Sequence, residues 1–120
     1  METEETPIER YLPLKPAALQ LLLSLAGSPK HGWAIMRDVS ASTEGKIKLS
    51  AGTLYGLIKR LGDQGLITES KERPPKHWDD ERRRYYELTK LGRSVAEAEL
   101  ERLSQLLAHA RTTDLVVNEA

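Results

Sequence analysis

Leu54, Leu57, Ile58 and Leu61 recur at i, i+3, i+4 and i+7, the spacing of a helix that lays one stripe on a core. The pattern predicts one helix over Ser50 to Gly65. Ser50 suits the N-cap, because its oxygen can accept first-turn N–H groups, and Gly65 suits the stop, because glycine enters the left-handed region cheaply. The opposite face carries Gly52, Tyr55, Gly56, Lys59 and Asp63, with Thr53 and Arg60 at its edges. Glycines at 52, 56 and 62 each cost a helix up to roughly 1 kcal/mol against alanine, so close approach of another surface is the expected compensation.

Around this helix the pattern sets out the rest of the chain. Met1 to Glu9 is an acidic stretch without periodicity, expected to order only where Ile8 or Tyr11 docks. Lys15-Pro16 opens a helix that is apolar from Ala17 to Ala26 except for Gln20 and Ser24, and Gly27-Ser28-Pro29 ends it. A second helix is expected over about Gly32 to Val39, with Trp33 in the core. A polar loop runs from Ser40 to Lys46, and the alternating Ile47-Lys48-Leu49 suggests a very short strand. Leu66 to Thr68 and Arg84 to Leu88 are β-prone, separated by the charged segment Ser70 to Arg83, where Pro74-Pro75 blocks strand pairing. Thr89 caps a last helix, Lys90 to about Ala110, whose apolar seam Ala96, Leu100, Leu103, Leu107 and Ala110 steps by 4, 3, 4 and 3. A helix followed at once by a two-stranded hairpin is the layout of a winged helix-turn-helix. The expected fold is mainly α with a small β-hairpin, in the order arm (1–12), winged helix-turn-helix (13–89), C-terminal helix (90–111) and frayed tail (112–120).

Charge changes this picture by its placement. The net charge is zero, yet Lys46 to Arg93 holds 12 basic and 7 acidic residues, so the positive charge lies where the helix and hairpin lie. The chain has no cysteine, which excludes disulfides and thiolate sites. His31, His77 and His109 have no metal-ligand spacing, and neither metal nor cofactor is expected. No nucleophile with its base, paired catalytic carboxylates or phosphate loop is present, so the reading is not an enzyme. The run Glu97, Glu99, Glu101 reads as a solvated helix face. The longest apolar run, around Leu21 to Leu25, is too short for a bilayer, and a cytoplasmic location without membrane contact is expected.

The candidate DNA-binding residues follow from face and charge. On the helix they are Ser50, Gly52, Thr53, Tyr55, Gly56, Lys59 and Arg60; along the wing they are Lys71, Arg73, Lys76, Arg82, Arg83 and Arg84. The plainer roles stand beside these: Ser50 as a cap, Tyr55 packed on the wing, and the wing as a solvated loop in which Asp79, Asp80 and Glu81 cancel much of the charge.

His31-Gly32-Trp33-Ala34-Ile35, Gly52-Thr53-Leu54-Tyr55, Arg60-Leu61, Gly65-Leu66-Ile67 and Arg84-Tyr85-Tyr86-Glu87-Leu88-Thr89 with Gly92, in that order, resemble the PadR family of bacterial transcription regulators. The resemblance runs from Leu14 to about Leu107. It departs at Gly56, where the family usually has proline, and at Gly62, where it usually has an acidic residue. The resemblance implies a homodimer joined through the first and last helices, here Leu19, Leu22, Leu23, Ala96, Leu100, Leu103, Leu107 and Ala110. It also implies a repressor binding a pseudo-palindromic double-stranded DNA operator. Trp33 would line a pocket for a small aromatic effector if the dimer interface is open. The alternative is a winged-helix protein-interaction module that binds no DNA.

Overall fold

The computed structural model describes residues 8–72 and 83–115. Residues 1–7 of the acidic arm, the wing-tip candidates Arg73, Lys76 and Arg82, and residues 116–120 of the tail lie outside the described residues. A 3₁₀ turn, Glu9–Tyr11, leads into α1 (Pro16–Ser24), β1 (Lys30–His31), α2 (Gly32–Ser42), α3 (Ala51–Asp63), β2 (Ile67–Ser70), β3 (Tyr85–Leu88) and α4 (Lys90–Ala110). Ile8 and Tyr11 dock against the core, as the sequence suggested.

Capping decides where most of these elements start. The Ser50 hydroxyl accepts the Thr53 N–H at 3.2 Å, and Thr89 accepts the Gly92 N–H at 2.9 Å. His31 caps α2, its Nδ1 accepting from the Ala34 N–H at 3.4 Å. At the far end of α3, Gly65 adopts φ +80°, the left-handed position that turns the chain straight into β2.

The sheet differs from the expected hairpin. It is three-stranded and antiparallel in the order β1-β3-β2, with Lys30 opposite Tyr86, His31 opposite Tyr85, and Ile67 opposite Leu88. The short strand precedes α2 and is not Ile47 to Leu49. That triplet instead folds back on the end of α2, the Ile47 N–H donating to the Thr43 hydroxyl at 3.0 Å while Leu49 is buried. α2 also runs three residues past Val39, to Ser42, and the Thr43 hydroxyl donates to the Val39 carbonyl at 2.7 Å.

Leu21, Leu22, Ile35, Val39, Leu54, Leu61, Leu66 and Val95 form the centre of the core, contributed by α1, α2, α3, the start of the sheet and the first half of α4. The junction of β2 and α4 is tied closely. The Thr89 hydroxyl donates to the carbonyls of Gly65 at 2.6 Å and Leu66 at 3.1 Å, and a Cβ on Gly92 would sit 1.9 Å from the Leu66 carbonyl oxygen. Only glycine fits there.

Two expectations about buried and exposed positions are overturned. Glu99 is 1% exposed, not solvated. Arg102 donates to its carboxylate at 2.6 and 3.0 Å and the Leu14 N–H does so at 3.1 Å, so the burial is satisfied by three donors. Trp33, expected in the core, is 73% exposed. It stands two residues from buried Ile35, about 200° round the helix, and so faces away from the core.

Candidate nucleic-acid interface

Leu54, Leu57, Ile58 and Leu61 are buried, and on the outward side of α3 Gly52, Thr53, Tyr55, Gly56, Lys59 and Arg60 are all exposed. A Cβ built on Gly52 or Gly56 meets nothing within 4 Å. The chain's own packing therefore does not require glycine at either position, and the bare backbone between Tyr55 and Lys59 faces outward. Lys59 forms an i,i+4 pair with Asp63 at 3.1 Å, with both side chains mostly exposed, a contact of little strength that leaves the ammonium available. Ser50 is occupied as the cap, and its hydroxyl also donates to the Thr53 hydroxyl at 3.0 Å.

Tyr55 is half exposed, and it also leans onto the start of α2. A Cβ on Gly32 would lie 2.5 Å from its hydroxyl, so Gly32 makes room for the tyrosine. This contact closes one side of a cleft of about 250 Å³ between α2, α3 and the base of the wing. Trp33 and Tyr86 give it flat walls, and Arg83 and Arg84 border it. Arg84 reaches Glu69 at 3.8 Å, while both arginines remain exposed. His31, at the back, stacks edge-on against Tyr85 with ring centroids 5.4 Å apart. Burial, followed by the charges of Arg83 and Arg37, lowers its pKa from 6.5, so it is neutral at pH 7. Burial, then the neighbouring Tyr55, raises the Tyr86 hydroxyl above the ordinary tyrosine value. The cleft thus offers arginine cations and neutral aromatic surface side by side, a combination suited to a phosphate with its sugar.

Lys71 is exposed on the chain leaving β2. The structure thus groups α3, Arg83 and Arg84, and adds Trp33 and Tyr86, which the sequence reading had not placed at this surface. Their signal was available for Trp33 in its angle from Ile35; for Tyr86 it depended on β1 pairing, which two residues cannot announce.

The profile of the transcriptional regulator PadR-like family matches residues 21–98. The chain belongs to the PadR-like family of transcriptional regulators. Solved structures agree on the fold. A transcriptional regulator from Clostridium thermocellum superposes with a TM-score of 0.65 at 18% identity, covering 94% of this chain and 99% of that one. A PadR family transcription regulator from Clostridium difficile gives 0.66 at 19% identity, covering 82% and 97%. A PadR-like transcription factor from Bacteroides fragilis gives 0.53 at 27% identity, covering 77% and 86%. No curated protein matches the chain in sequence. Within the PadR-like fold, the winged-helix elements are those that carry the face described above.

The candidate dimer residues divide. Leu22, fully buried, and Ala96, 6% exposed, belong to the core of the single chain and are removed from the interface set. Consecutive leucines on α1 point in different directions, so Leu22 faces inward while Leu23 is exposed and Leu19 half-buried. On α4, Leu100, Leu103 and Leu107 are exposed and Ala110 half-buried; Leu106, at 54% exposure, joins them although the 4-3-4-3 spacing passes over it. Among the described residues, no helix is long and apolar enough to cross a membrane.

Proposed function

We propose that this chain is a sequence-specific double-stranded DNA-binding regulator, acting as a repressor on a pseudo-palindromic operator as a homodimer. The observation that carries the reading is the outward face of α3, where Gly52 and Gly56 leave open backbone between exposed Tyr55, Lys59 and Arg60. A helix so bared can press into a major groove, with Lys59 reaching a base edge or phosphate. The cleft of Trp33, Tyr86, Arg83 and Arg84 then takes the adjoining backbone, holding register without reading sequence. Two copies joined along Leu100, Leu103, Leu106 and Leu107, with Leu23 beside them, present two such faces to half-sites about 10 bp apart or a multiple.

Selection of bound sequences from random duplex DNA tests the reading and yields the operator. Gly56→Leu is then the decisive variant. It improves helix propensity by up to about 1 kcal/mol and adds bulk only on the outward side, so the melting temperature should hold or rise while operator affinity collapses. A variant that binds the selected operator as tightly as the unmodified chain removes α3 from the interface.

A further inference from the structure

A second cleft, of about 440 Å³, opens on the other flank of α3, between that helix and the segment leading into α1. The size is that of a small-molecule site. Leu57, Leu61 and Ala18 form an aliphatic floor, and Ala17 rises half-buried beside it. Tyr11 closes one end, its hydroxyl donating to the Gln64 carbonyl at 3.3 Å. Lys15 and Arg60 line the mouth, both exposed, and neither forms an ion pair among the described residues. An aliphatic slot under two unpaired cations is complementary to an aliphatic chain ending in one carboxylate.

We propose that this cleft binds a medium-chain aliphatic carboxylate, which draws Arg60 away from DNA. Aliphatic carbons replace water over the floor, and the carboxylate takes charge-assisted hydrogen bonds from Lys15 and Arg60. Arg60 sits at the edge of the outward face of α3, so a carboxylate held there neutralises a cation that the DNA-binding surface uses. This second step rests on the function proposed above; the binding step does not.

Calorimetric titration of the full chain with decanoate, kept below its micellar concentration, tests the site directly. Decanoate should bind once per chain, and decanol and acetate, each lacking one half of the recognition, should bind roughly tenfold more weakly or worse. Ala17→Phe fills the slot and should abolish binding with the far-ultraviolet dichroism intact; if that variant does not fold, Lys15→Gln should still lose about tenfold. Unchanged decanoate affinity in a folded Ala17→Phe or in Lys15→Gln, or decanol matching decanoate, overturns the site. On the selected operator, saturating decanoate should weaken DNA binding of the unmodified chain and leave that of Ala17→Phe alone. Decanoate that binds without moving operator affinity overturns the role of Arg60. Should the chain retain no DNA at all, the function proposed above fails while calorimetry still decides the site.

Discussion

His31 caps α2 as an acceptor, and a protonated imidazole has no acceptor to offer. Its pKa lies below 6.5 in the fold, so as pH falls through about 6.5 the unfolded chain takes up a proton that the folded chain resists. Stability should therefore decline from that point and level off once the folded imidazole is also charged. Asp38 and Glu99 act later. Burial alone would raise Asp38, but Lys30 and Ser24 bond its carboxylate and hold it below the ordinary value. Arg102 and the Leu14 N–H do the same for Glu99, outweighing its burial. Both contributions persist at neutral pH and disappear as pH falls through these depressed values. Thermal melts across pH should show two stages, and His31→Asn, which can cap but not titrate, should erase the upper stage alone. Glu99 was beyond reach of the sequence because its third donor comes from Leu14, 85 residues away. Trp33 was misjudged by residue type, since bulk and aromaticity suggested core where the angle from Ile35 pointed outward.

Among the elements, α3 was legible in full: an apolar stripe, a hydroxyl cap and a glycine at the end all agreed, as they do when local and tertiary preferences coincide. The bounds and the Thr89 cap of α4 were legible too, but its faces were not, since Ala96 and Glu99 turn into the core. β1 was not legible. Two residues have no period, and Lys30 and His31 become a strand only because Tyr86 and Tyr85 are set opposite them. The outward face of α3 was legible as a face, whereas the cleft beside it needed three separate elements brought together. Gly92 belonged to a motif before its reason was visible. The reason is the approach of α4 to β2, where a Cβ would collide with the Leu66 carbonyl. Gly92→Ala should therefore cost about 1–3 kcal/mol or more and lower the denaturation midpoint, because a backbone carbonyl cannot step aside as a side chain can. An unchanged midpoint would mean that the helix shifts freely at this junction.

At the scale of the molecule, zero net charge conceals a division along the chain between a basic helix-and-wing region and acidic flanks, which supports the proposed contact with a polyanion. α4 also exposes an apolar face. α4 gives its first half to the core through Val95, Ala96 and Glu99, and leaves Leu100, Leu103, Leu106 and Leu107 bare on its second. Leu103→Glu should spare the single-chain fold, since Leu103 is 37% exposed, and should convert a light-scattering mass of two chains into one. A single-chain mass for the unmodified protein at micromolar concentration would remove the dimer. The division of α4 has a further consequence, governed by mass action. In the proposed dimer one helix walls the core with its first half and meets the partner with its second, so association stabilises the same helix that folding needs and the folded state gains from every increase in subunit concentration. For such a dimer, cellular abundance would set more than operator occupancy: at low copy number the chain would be diluted toward its least stable form, and its lifetime against proteolysis would shorten as its level falls.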